Sequence, residues 1–131
     1  MTARQKMAQA AAGWVAELEP EKAARFKAKT MLIPSPVQVE QAISAIAMGE
    51  CKSLLQVRRE LAQSFGAEVT CPYAARVGWE LAAEAAEEDR LAGASSVTPW
   101  WRVTKDGKPH SKLPGGAENH RRLLLMEGVS I

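Results

Sequence analysis

At 131 residues the chain has room for one domain with a real core, and 47% hydrophobic against 24% charged residues excludes wholesale disorder. The net charge of +2 is too small to mark a nucleic-acid binder from the whole-chain balance. Two cysteines, Cys51 and Cys71, exclude a disulfide framework, and the absence of Cys-x-x-Cys or paired histidines leaves no metal site and no cofactor to expect.

The charge is unevenly spread. Residues 1–64 carry nine Lys/Arg against six Asp/Glu, residues 65–97 two against six, and residues 98–131 six against three, so the middle is acidic and the C-terminal part basic. No long apolar run or signal peptide is visible, which points to a cytoplasmic protein with no membrane partner.

In chain order, Ala3–Leu18 reads as a helix, with Met7, Ala11, Trp14 and Leu18 at three- and four-residue steps on one face. Pro20 restarts a helix to about Lys29. Ile33-Pro34-Ser35-Pro36 is a break, because proline disfavours helix in the residue before it. A helix resumes over Val37–Met48, with Val39, Ile43, Ile46 and Ala47 inward and Gly49 ending it.

Ser53-Leu54-Leu55-Gln56 has the form of a capping box for a helix from Leu54 to about Phe65, stopped by Gly66. A second helix begins at Cys71-Pro72, with proline at its first position. Helix, short turn, helix is the pattern of a helix-turn-helix. Along the second helix Glu80, Glu84, Glu87 and Glu88 share a face, read either as a solvated surface or as an acidic partner surface.

After the small-residue stretch Ala92–Ser96 comes Thr98-Pro99-Trp100-Trp101-Arg102-Val103, then a tight turn at Asp106-Gly107. A short strand or hairpin is expected near residues 101–109. Gly115-Gly116 forms a loop, and a last helix starts at His120-Arg121-Arg122 and runs through Met126, close to Glu127-Gly128. His110 and His120 show no ligand spacing and read as surface residues. Trp100 and Trp101 are open to two readings, core anchors or pocket walls on which a base could stack.

Pro-x-x-Arg-Val, the Gly-Gly loop after it and the Leu-Leu-x-x-Glu-Gly helix end together resemble the active-site half of the alkylguanine DNA alkyltransferases. Pro72-Tyr73-Ala74-Ala75-Arg76 is similar to the opening of that family's recognition helix. The resemblance covers about residues 37–131. It implies a mainly α, winged-helix-like helix-turn-helix domain of the alkyltransferase type, with residues 1–36 as a helical N-terminal extension packed on it.

Trp100 stands where the family has its alkyl-accepting cysteine, so the chain resembles the alkyltransferase-like proteins, which bind alkylated DNA without repairing it. The implied function is therefore non-enzymatic. A nucleotide is flipped from double-stranded DNA, alkylated or otherwise modified, and the lesion is handed to a repair-pathway partner.

By the same resemblance Ser53, Arg76, Gly78 and Arg102 are DNA-binding, with Arg76 as the wedge that fills the vacated stack and Arg102 as support beside the pocket. Trp100, Trp101, Gly115 and Gly116 form the base pocket. Aligning Gly78 with the family's glycine would place Ala75 in the wedge position instead. The chain departs from the family at Leu54, in place of a phosphate-contacting tyrosine, at Trp101, in place of histidine, and at Ala92–Ser96, in place of an Asn-Pro hinge. The alternative is a degenerate module of this fold, acting in protein–protein interaction through Trp79 and the acidic helix.

Overall fold

The computed structural model describes residues 1–131 and is mainly helical, with six α-helices and two small sheets. The helices are α1 (Ala3–Gln9), α2 (Pro20–Phe26), α3 (Pro36–Ser44), α4 (Leu54–Ser64), α5 (Pro72–Leu91) and α6 (Gly116–Met126). The strands are β1 (Trp14–Glu17), β2 (Thr30–Ile33), β3 (Lys52–Ser53), β4 (Val69–Thr70) and β5 (Val103–Thr104), and a single 3-10 turn spans Trp100–Arg102.

The central element is α5, whose 20 residues extend about 30 Å. Its alanines are the reason other elements come so close. Ala75, Ala82, Ala83, Ala85 and Ala86 are all fully buried, so short side chains let α3 pack on one flank and α1 on another. At Gly78 the approach is tightest, since a β-carbon there would meet Val39 Cγ2 at 2.8 Å. The main core gathers around Trp79, with Val39, Ile43 and Ile46 from the α3 region, Val57 and Leu61 from α4, and Trp100, Val103 and Leu113 from the C-terminal part.

The N-terminal region is not the all-helical extension that the alanine pattern suggests. The first helix stops at Gln9 and the chain turns at Gly13 into β1, paired antiparallel with β2 from Trp14↔Ile33 to Glu17↔Thr30. Gly13 lies against the Gln38 side chain, where any β-carbon would collide. Trp14 is 54% exposed, so it belongs to no buried helix face. β2 also pairs in parallel with β4, and Leu32 enters the main core.

The acidic run on α5 is only partly a solvated face. Glu88 accepts hydrogen bonds from the free backbone N–H groups of Ala3 (2.8 Å) and Arg4 (3.3 Å) at the start of α1. Arg4 reaches Asp89 at 2.8 Å and Glu40 at 3.0 Å. Glu84 alone of the four glutamates is exposed. The negative charge at this end of α5 therefore fastens α1 down.

The α4–α5 pair lies as expected. Ser53 caps α4, its hydroxyl accepting from the Gln56 N–H at 3.1 Å, although the reciprocal glutamine bond of a full capping box is not made. Complete boxes occur instead at Thr2–Gln5 and Ser35–Gln38. Six residues of turn, including β4, separate α4 from the Cys71 cap of α5. β3 pairs in parallel with β5, Ser53 opposite Thr104. The chain then reverses through Asp106 (φ 54°) and Gly107 (φ 79°), closed by backbone hydrogen bonds between Lys105 and Lys108.

Candidate nucleic-acid interface

Because Val57 and Leu61 turn inward, the opposite face of α4 presents Leu55, Arg58 and Arg59 beside the start of α5. There Pro72 opens the helix, Tyr73 is 67% exposed and Arg76 follows one turn later. Leu55, Arg58, Pro72, Tyr73 and Arg76, with Lys105 and Asp106 from the turn, line a groove of about 350 Å³, and Arg59 lines the adjoining hollow. The Arg76 guanidinium sits 5.4 Å from the centre of the Tyr73 ring. Arg58, Arg59 and Lys105 take part in no ion pair, so their charge is open to an incoming anion.

Arg76 is held from behind by a polar chain that runs into the core. Its guanidinium contacts Glu80 at 3.3 Å, and Glu80 accepts from His110 Nε2 at 2.6 Å. Burial acts to raise the Glu80 carboxyl, but the His110 hydrogen bond and the nearby Arg76 charge outweigh it and hold it below the ordinary carboxylate range. The His110 backbone N–H donates to His120 Nδ1 at 3.0 Å, which places the His120 proton on Nε2, 3.0 Å from the Trp101 carbonyl. Neither histidine is a surface residue, with 4% and 0% exposure. Burial first of all pushes the His120 pKa down, so the ring is a neutral strut.

The tryptophan segment is organised by Trp79. Its indole N–H donates to the Trp100 carbonyl at 3.0 Å inside the core, tying α5 to the 3-10 turn. Trp79 is fully buried, so it cannot form the partner surface of the alternative reading.

Trp100 is the core residue of the adjacent pair, 2% exposed and edge-on to both Trp101 and His120. Trp101 is only half-buried. Both indoles do border a cavity of about 260 Å³, lined also by Glu87, Arg90, Asn119 and Arg122.

No family model matches the chain, and no curated protein matches it.

The residues singled out from sequence do not assemble into one flipping site. Arg76 lies ten residues before Ala86 on α5, about 15 Å along the axis from the nearest part of the tryptophan cavity. Gly78 faces α3 rather than solvent, so it serves helix packing and not contact with DNA. Arg102 is an internal brace, its side chain 12% exposed, gripping Glu127 through two bonds of 2.9 and 2.8 Å and the Ile46 carbonyl at 2.7 Å. Ser53 is the α4 cap. Gly115 and Gly116 lead into α6 with φ near +80°, and their loop meets the tryptophan cavity through Asn119, which packs on Gly115. What sequence reading missed is the groove itself. Arg58 and Arg59 fall on the outer face of α4, and Lys105 reads as a hairpin tip until the fold sets it in one groove with Arg58 and Arg76.

Proposed function

We propose that this protein binds double-stranded DNA without acting on it chemically, through the α4–α5 face, and that Arg76 senses alkylated or otherwise modified bases there. The observation that carries the reading is the groove in which Arg58, Arg76 and Lys105 surround an exposed Tyr73 at the start of α5. A helix pair flanked by a short strand and turn is the arrangement of winged helix-turn-helix proteins. The acidic end of α5 is turned to α1 and would not face the phosphates. A wedge costs base stacking and offsets it with its own contacts, and Arg76 is long, cationic and 37% exposed. Neither Cys51 nor Cys71 stands in the acceptor position, where Trp100 offers no thiolate. The resemblance assigns a bound lesion to a repair-pathway partner.

Anisotropy titrations of duplexes with guanine or alkylguanine at one position, at two salt concentrations, test this. Three open phosphate-facing cations give a salt slope of about −3 in log–log form. Arg76→Ala is expected to weaken binding to the alkylated duplex about tenfold and to erase the preference over guanine. No binding at low salt overturns the reading, and unchanged lesion preference in Arg76→Ala overturns the wedge.

A further inference from the structure

We infer that the groove also holds an unpaired DNA strand leaving the duplex, laid along the outer face of α4 between Tyr73 and Phe26. The inference rests on the DNA-binding reading for the identity of the polymer and goes beyond it in assigning a second strand state and a path.

The groove at Arg76 adjoins a second hollow of about 310 Å³, with Leu55, Arg58 and Pro72 lining both. Together they form a channel whose floor is apolar at Leu55, Val69 and Pro72. Its cations are Arg58, Arg59, Arg76 and Lys105, against Glu68 and Asp106. The Glu68 carboxylate is already engaged by the backbone N–H groups of Lys29 and Thr30. An aromatic ring stands at each end with an arginine over it. Tyr73 carries Arg76 at 5.4 Å, and Phe26 carries Arg25 at 5.2 Å.

A positively charged channel with aromatic faces along it is what unpaired nucleic acid requires, because phosphates track the cations while bases stack on the rings. Paired DNA can use the cations but offers no free base face to Tyr73 or Phe26. The channel also gives the N-terminal region a role, since Arg25 and Phe26 belong to α2.

The test compares a blunt duplex with the same duplex carrying a single-stranded tail, using the whole chain. The tail is expected to tighten binding about tenfold, and Phe26→Ala is expected to remove most of that gain while leaving blunt-duplex affinity unchanged, because Phe26 lines only the second hollow. Phe26 belongs to neither buried core cluster. Arg59→Gln should lower tailed binding more than blunt binding, and it decides if Phe26→Ala melts early. Equal affinity for blunt and tailed duplexes, or an equal loss on both in Phe26→Ala, overturns the inference. Binding of the tail strand alone with no binding of blunt duplex upholds it and removes the duplex reading. No binding of either at low salt removes both.

Discussion

Trp79→Ala is expected to destabilise the fold by about 4 kcal/mol, lowering the melting temperature by roughly 10 °C or more. The residue is fully buried among elements from across the chain, so truncation leaves a cavity that α3, α5 and the 3-10 turn cannot all close. It also removes the donor to the Trp100 carbonyl. Trp79→Phe separates the two effects. It keeps much of the ring volume and loses the 3.0 Å hydrogen bond, and it is expected to cost about 1 kcal/mol for that bond because the Trp100 carbonyl still accepts from the Val103 N–H. Thermal unfolding followed by circular dichroism checks both. A Trp79→Ala protein that melts with the wild type would show that the core is not organised on this indole.

Much of the helical frame is legible in the sequence, and the reasons are local. Pro72 behind Cys71 and Ser53 ahead of Leu54 mark helix starts by side-chain and backbone chemistry within a few residues, and α4 and α5 begin there. Asp106-Gly107 reverses the chain because both residues accept positive φ. The failure at β1 is also instructive. Ala10–Ala12 is good helical material, but the chain leaves the helix before it, and Trp14–Glu17 gains its hydrogen bonds from β2, sixteen residues or so further on. Propensity over a short window lost to pairing that the window does not contain.

The site was legible where it is carried by one side chain and illegible where it is carried by a juxtaposition. Arg76 is prominent in its helix opening. Its partners Arg58 and Lys105 come from α4 and from a turn nearly thirty residues later, and only the fold makes one groove of them. The polar chain behind Arg76 is harder still, since Glu80 and His110 are thirty residues apart and each is an ordinary surface type when read alone. Gly78 shows the opposite error. A glycine in a helix implies a close approach, which is correct, but the approaching group is Val39 rather than DNA.

Arg102→Ala is expected to cost about 3–5 kcal/mol, because it strands the Glu127 carboxylate in a site where both side chains are only about a tenth exposed. The Ile46 carbonyl loses its donor at the same time. Glu127→Gln should cost less, since the shape and one acceptor remain. The pH dependence follows from the signs. Above all the Arg102 hydrogen bonds hold the Glu127 carboxyl below its ordinary value of 4.5, so this pair contributes fully above that pH and is lost as pH falls through the lower folded-state value. His120 acts in a higher window. Burial lowers its pKa from 6.5, the unfolded chain takes up the proton first, and stability declines as pH drops below 6.5. Melting temperature measured from neutral to acid pH should therefore fall in two stages. Glu127→Gln should shrink the lower stage and keep the upper one, and an unchanged lower stage would show that the Arg102–Glu127 grip contributes nothing to the fold's acid sensitivity.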